Sequence, residues 1–428
     1  MTMAADKQDK VLNVPNKREQ SQTCLNSAER AGLRPKDNVP TLRFPEFDGE
    51  WHHTTIGDCC SPLEYGMNAP AKEYDGANKY IRITDIDEDT CTYKCDDVVS
   101  PNAQLEDKYR VRKNDILFAR TGASTGKAYL YNEEDGLMYY AGFLIRGNVK
   151  PAYNAKFVFL QTQTQKYKKW VDIMSIRSGQ PGINSQEYSG FKFHLPPSKV
   201  EQDKISTLFT LLDERITTQI RIIKELKLYR NTLVFRLLTP KDKWLRLSIG
   251  DVAHVIGGGT PDTNIEDYWN GSIQWFTPSE IGKEKYVTES ERTLTQKGLD
   301  NSSAKLLPPG TILLSTRATI GECSIAKQEC CTNQGFQSLI AKKVTPEFLY
   351  YLIQTKKKDL LSKASGSTFA EISANEVRKI HICIPGTQEE QKAIVQPLSA
   401  YDEKIETECK ILHLYELQKQ FLLGQMFI

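Results

Sequence analysis

No run of about 18 apolar residues occurs in the 428-residue chain, so no segment has the length to cross a bilayer as a helix. The polar N-terminal stretch carries no apolar core of the kind a signal peptide needs, and a cytoplasmic protein without a membrane partner is expected. No charge of one sign dominates. Lys and Arg number 56 against 54 Asp and Glu, a net charge of +2 that argues against a uniformly basic surface while permitting local basic patches.

Paired cysteine spacing is also missing. The ten cysteines are scattered, and Cys59-Cys60 and Cys330-Cys331 are adjacent, which suits neither a disulfide scaffold nor a CxxC zinc site. They read as reduced thiols, mostly buried. His52-His53 ahead of Cys59-Cys60 supplies zinc-ligand types, but neighbours on a strand project to opposite faces, and no metal site is assigned. A phosphate-binding loop is absent too. "ARTGASTGKAYLY" (Ala119 to Tyr131) holds a Gly-Lys pair, yet Thr121 stands where the P-loop needs its first glycine and Ala128 where it needs Ser or Thr. No cofactor is assigned.

What is present is a repeat. Trp51 to Asp58, "WHHTTIGD", returns as Trp244 to Asp251, "WLRLSIGD", 193 positions later. "NDILFARTGASTGKAYL" from Asn114 matches "GTILLSTRATIGECSIA" from Gly310, and Gly142-Phe143 matches Gly335-Phe336. "INSQEYSGFKFHLPPSKVEQDKI" from Ile183 matches "ISANEVRKIHICIPGTQEEQKAI" from Ile372, 189 positions on. In the second copy Ile320-Gly321-Glu322 replaces Thr125-Gly126-Lys127. The glycine belongs to the unit and the lysine does not, so the segment reads as strand, exposed polar loop, strand, with an arginine (Arg120; Arg317) after the first strand.

Each copy ends in a long amphipathic helix. Ile205, Phe209, Leu212, Ile216, Ile220, Ile223, Leu226, Leu233 and Leu237 are apolar at helical spacing. Their counterparts Ile394, Leu398, Tyr401, Ile405, Cys409, Leu412, Tyr415, Leu422 and Met426 keep that character. Steps of three and four suit coiled-coil packing, so the two stripes are expected to pair, as rods of roughly 57 Å at 1.5 Å per residue, against the plainer alternative that each helix packs on its own domain. The expected fold class is α+β: two repeated mixed α/β domains separated by two long helices whose apolar stripes pack together. The chain divides into a polar tail (1–38), a first domain (39–200), a spacer helix (201–238), a linker (239–243), a second domain (244–388) and a second spacer helix (389–428).

Taken together, "VPTLRFPEFDGEW", "GGGTPDT", "YWNGSIQWFTPSEI", "TILLSTRATIGECSI", "SGSTFAEIS" and "IPGTQEEQKAI" resemble the specificity (S) subunit of type I restriction–modification systems, in family order from about residue 39 to the end. That resemblance implies two target recognition domains, each reading one part of a bipartite double-stranded DNA sequence, held apart by the two long helices pairing as an antiparallel coiled coil with pseudo-two-fold symmetry. It also implies two methylation subunits and restriction subunits as partners, with catalysis residing in them. The absence of a P-loop, of an Asn-Pro-Pro-aromatic motif and of a Glu-x-Lys after Pro261-Asp262 agrees. The early first-copy loop "CCSPLEYGMNAPAKEYDGANKY" departs from its second-copy counterpart "GGGTPDTNIEDYWNGS", as expected if the halves read different bases.

Phosphate contacts position a protein on DNA and base contacts specify sequence. Lysine runs at comparable places, Lys166, Lys168 and Lys169 and then Lys356, Lys357 and Lys358, are candidates for the first role, against the plainer alternative of a solvated helix face. Candidates for base reading are polar loop residues. In the first half these are Arg120, Thr121, Ser124, Thr125, Lys127, Arg177, Ser178 and Gln180; in the second, Thr260, Asp262, Thr263, Arg317, Thr319, Ser365, Ser367 and Thr368. Arg120 and Arg317 could equally pair with a carboxylate of their own domain. Two other classes stay open on the residues alone: an autonomous duplicated enzyme, motivated by the glycine loops, and a coiled-coil scaffold that does not bind DNA.

Overall fold

The computed structural model describes residues 38–177, 179–317, 319–364 and 371–428. Ser178, Ser365, Ser367, Thr368 and all but the last residue of the 1–38 tail lie outside them. The chain divides into two compact units. The first runs to Thr217 and includes His413–Ile428; the second is Thr218–Leu412.

Each unit opens with the same device. Thr55 and Ser248 begin a short helix whose third residue, Asp58 or Asp251, reaches back to the cap backbone, which is why the sequence reads TIGD and SIGD. The strand before it pairs antiparallel with the strand that leads into the long helix: His52–Thr55 with Lys192–Leu195, and Leu245–Ser248 with His381–Ile384. Beginning and end of each copy are thereby tied together. Trp51, ahead of the first of these strands, is buried, and its indole N–H donates to Glu201, whose carboxylate also accepts two bonds from Arg43 at 2.7 and 2.8 Å.

In the first unit a four-stranded sheet runs Glu64–Tyr65, Leu144–Asn148, Asp115–Ala119, Ala128–Leu130. In the second, five strands run Ala253–Gly257, Gln337–Ala341, Ile312–Leu314, Cys323–Ala326, Tyr286–Val287. Central strands Asp115–Ala119 and Ile312–Leu314 are buried along their whole length, as apolar runs between covered faces require. Beside each sheet lies a parallel pairing, Lys79–Ile81 with Met138–Tyr140 and Trp269–Phe276 with Cys330–Thr332.

The long helices are Lys199–Leu237 and Gln388–Met426, 39 residues each. Within each unit a stretch of one packs antiparallel on a stretch of the other. In the first unit Ile205 and Phe209 share a core with Leu423, Met426 and Phe427, and the Phe209 and Phe427 rings meet edge to face at 5.8 Å. In the second, Val234 and Leu238 share a core with Ile394 and Leu398. The polar contacts show the duplication in three dimensions. Asp213 is held by Lys156 at 2.6 Å and by Lys419 at 2.8 Å. Asp402 is held by Arg230 at 2.9 Å. Asp402 and Lys419 stand 189 positions after Asp213 and Arg230, so the same cross-helix ion pair is made in both units with the helices exchanging roles.

One stripe position is displaced. Leu212, Ile216 and Ile223 are buried as the periodicity predicts, but Ile220 is 39% exposed. Gln219 turns inward in its place and donates to the Glu408 carboxylate at 2.6 Å. The counterpart of Ile220, Cys409, is exposed as well. Gln219 and Glu408 thereby add a further polar pair to the helix contact within the second unit. Tyr401, Ile405 and Leu412 are half-buried.

Candidate nucleic-acid interface

Loops at one end of the central strands gather most of the first-half candidates. After Asp115–Ala119 the chain turns through Gly122, φ +72°, and Gly126, φ +91°. A Cβ on Gly126 would lie 2.5 Å from Val171, so close packing and a left-handed backbone both select glycine there. Gly321, φ +87°, takes the same place in the second copy. The Gly-Lys pair is therefore a turn rather than a phosphate cradle: Lys127 pairs with Glu88 at 3.0 Å, and Glu322, in its place, pairs with Lys357.

Thr121 bridges to Gly182, and Arg120 accepts the Ile183 N–H at 2.9 Å, which brings the Arg120–Thr125 loop against the loop holding Gln180. The Gln180 amide lies over Gly122. Thr125 donates to the Gly122 carbonyl at 2.7 Å, while the Ser124 carbonyl accepts Lys127 N–H. Arg177 is engaged within its own unit, forked onto Glu187 at 2.6 and 2.7 Å.

In the second unit Arg317 is forked onto Glu371, both bonds 2.8 Å, with both side chains about two-fifths exposed. Thr319 donates to Ser315, Thr260 to Gln334, and Asp262 caps its own loop by accepting the Asn264 N–H; Thr263 beside it is exposed. Of the lysines, Lys166 donates to the Ile428 carbonyl at 3.2 Å, Lys356 pairs with Asp359 at 3.3 Å, and Lys168, Lys169 and Lys358 are exposed on their helices.

The hydrogen-bond ladders also correct two pairings expected from sequence. Gly126 N–H donates to Ala119 and Gly321 N–H to Ser315, so Ala119 and Ser315 are equivalent. Arg120 then corresponds to Thr316, whose carbonyl likewise accepts the N–H of Ile372, and Arg317 corresponds to Thr121. The two arginines are one residue out of step, and side chains one apart on extended chain leave opposite faces. The "GF" match slips in the same way. Ala119 faces Leu144 and Ser315 faces Phe336, so Leu144 is the partner of Phe336, and Phe143 stands where the second copy has Gly335. Phe336 is fully buried; Phe143 is 60% exposed.

The early loops that share no sequence are equivalent as well. Tyr65 faces Ile145 as Gly257 faces Gln337. A Cβ on Gly66 would meet the Ala141 carbonyl oxygen at 2.2 Å, and one on Gly258 would meet the corresponding Asn333 oxygen at 2.0 Å. Arg82 N–H donates to Asp85 as Thr277 N–H donates to Glu280, both bonds 2.7–2.8 Å.

At this junction the first unit has a cleft of about 670 Å³, whose lining includes Tyr65, Asn68, Arg82, Thr84, Arg120 and Phe143. The Arg120 guanidinium lies over the Tyr65 ring, 4.7 Å from its centroid. The Tyr65 hydroxyl accepts the Ser185 N–H at 3.2 Å, and that bond together with the arginine charge lowers its pKa. Arg82 is neutralised by Asp85 and Asp97. Of these residues only Arg120 was a candidate from sequence. Tyr65 lies in the loop that matches nothing in the other copy, and Phe143 was hidden by the false match of Gly142-Phe143.

A duplicated α/β unit that ends in a long helix, with paired helices carrying swapped copies of one ion pair, defines a class of two-domain proteins built around a helical spacer. The sequence profile of the type I restriction modification DNA specificity domain matches residues 49–228 and again 241–414, and the chain belongs to that family. It is 41% identical over 176 residues to the type I restriction enzyme MjaIX specificity subunit of Methanocaldococcus jannaschii, covering 40% of each chain. To the EcoR124I/EcoR124II specificity subunit of Escherichia coli it is 27% identical over 207 residues, 46% of this chain and 50% of that one. These matches thus span half or less of either relative. A putative MjaX specificity subunit, also from M. jannaschii, is 23% identical over 91% of this chain and 95% of its own length. Among solved structures, the S subunit of a type I restriction–modification system from M. genitalium has the same fold, with a TM-score of 0.58 at 14% identity over 91% of this chain and 99% of that one.

No helix among the described residues is long and apolar enough to cross a membrane.

Proposed function

We propose that this chain is the DNA sequence-specificity subunit of a type I restriction–modification complex. Each α/β unit reads one half of a bipartite duplex target, and the chain recruits two methylation subunits and restriction subunits, which carry the catalysis, in the cytoplasm. The observation that carries the reading is the repeated unit bound to a shared helix pair, with Asp213–Lys419 in one unit and Arg230–Asp402 in the other. A duplicated reader suits a target in two parts, since modules that enter a groove must keep rotational phase with the DNA.

Phosphate contacts fall to the exposed Lys168, Lys169 and Lys358, each neutralised phosphate steepening the salt dependence of binding. Arg177 and Arg317 enter this reading only by exchanging Glu187 and Glu371, respectively, for a base edge, and both forks are exposed enough for that exchange. Methylome sequencing of a host with and without the chain tests the proposal. The expected result is one methylated motif, present only with the chain and composed of two specified parts around an unspecified gap. A contiguous motif, or no difference between the strains, refutes it.

A further inference from the structure

We propose that the cleft between Tyr65, Arg120 and Phe143 is the base-reading site of the first unit, and that it takes one or two adjacent base pairs, with Arg120 donating to a guanine edge and Phe143 against the neighbouring base. This rests on the reading of the chain as a DNA-specificity subunit and assigns the residues that carry it out in one half.

Three observations converge on it. The first is placement: Phe143 and Tyr65 occupy the positions of Gly335 and Gly257, so the fold does not need a side chain at either. A large aromatic ring at 60% exposure in a place where the duplicate has glycine contributes little to the core and is available to a ligand. The second is preorganisation. Arg120 N–H donates to the Phe143 carbonyl at 3.0 Å, so the two side chains spring from one hydrogen-bonded pair, and the Tyr65 ring holds the guanidinium from one side. Among the described residues no carboxylate lies within ion-pair distance of Arg120, whereas Arg82, Arg177 and Arg317 are all so engaged. A guanidinium presented this way has its donors available for O6 and N7 of guanine, the pairing its planar fork fits best.

The third is chemistry and size. A cleft of about 670 Å³ with aromatic walls, one available cation and the exposed amide of Asn68 on its lining fits a base with its edge groups. The aromatic surface serves equally against a ring face or a thymine methyl. At the positions of Tyr65, Arg120 and Phe143 the second unit has Gly257, Thr316 and Gly335, with Thr260 bonded to Gln334 beside them, so the two halves read by different means from the same position in the fold.

The test uses the full chain expressed in a host with its methylation subunits, as wild type, Phe143→Ala and Tyr65→Gly, with methylome sequencing as the readout. Both substitutions should leave one part of the motif unchanged and make one or two adjacent positions of the other part degenerate. Methylation of the formerly excluded sequences should rise about tenfold, the discrimination one good base contact supplies. Melting of purified Phe143→Ala protein should match wild type, because the ring is mostly exposed. An unchanged motif overturns this inference while leaving the bipartite reading intact. So do equal relaxation of both parts and complete loss of methylation with normal melting. If the wild-type motif is not bipartite, the underlying reading falls and this inference with it.

Discussion

Replacing Asp402 with alanine isolates what one polar cluster contributes to the helix pairing. Its carboxylate accepts from Arg230 Nε at 2.9 Å and from the Tyr351 hydroxyl, and Lys285 Nζ stands 3.9 Å away. Lys285 in turn donates to Tyr351 and Ser399, both at 2.9 Å, and Arg230 to Gln354 at 2.6 Å. Asp402, Arg230 and Lys285 side chains retain 18%, 12% and 10% of their exposure. Alanine at 402 leaves two cations close together with no anion between them, a change that costs about 3–5 kcal/mol when an ion pair is fully buried. The remaining exposure lets water relieve part of it, so we expect a loss of about 3 kcal/mol, at the low end of that range. For a unit of this size, Thr218–Leu412, that is a fall in Tm of roughly 6–12 °C. Calorimetric melting of the purified chain, with Arg230→Ala and the double variant completing a cycle, reads both the loss and the coupling across the two helices. A fall under about 2 °C, or additive single effects, would refute the claim that this cluster joins the two helices.

In the first unit the counterpart carboxylate, Asp213, gives a pH dependence. Burial alone would raise its pKa, but Lys156 and Lys419 outweigh that and hold it below the ordinary carboxylate range. Its contribution is therefore present above the unfolded-state value near pH 4 and is lost as pH falls through the lower folded-state value. Denaturant titrations should show Asp213→Asn less stable than wild type at pH 7, with the gap closing below about pH 4; a gap independent of pH would contradict the assignment. Gly66→Ala should destabilise by about 3 kcal/mol, because the new methyl would stand 2.2 Å from a backbone oxygen that cannot give way. Gly76→Ala, with a φ of +85° but open space around it, should lose only about 1 kcal/mol to backbone strain, and equal losses in the two would refute the close-approach argument.

The duplication, the strand–loop–strand unit with its turn glycine and the two long helices were all legible in the residues. Each is a local pattern: Gly126 and Gly321 match by alignment, and apolar steps of three and four mark a helix without reference to anything distant. That the helices pair was legible too, since two matching stripes in one chain cover each other most simply; their antiparallel sense came with the family resemblance. The candidate site was far less so. Most of the polar loop residues named from sequence prove to be engaged within their own units, as Arg177 is with Glu187 and Arg317 with Glu371, 54 positions on, because an arginine within reach of a carboxylate takes that partner wherever in the chain it lies.

What sequence matching could not supply was register to a single residue. Arg120 aligns with Arg317 and Phe143 with Phe336 by letter, yet the ladder pairs Arg120 with Thr316 and Phe143 with Gly335. Ile220 fits the stripe, yet Gln219 turns inward to meet Glu408. Side chains alternate along a strand and step round a helix, so a shift of one residue moves a group from core to surface without altering the composition of the segment. Repeat and periodicity settle which elements exist and in what order. Hydrogen bonds between segments far apart in the chain settle which face each residue occupies, and here they carry Phe143, Tyr65 and Arg120 into one cleft.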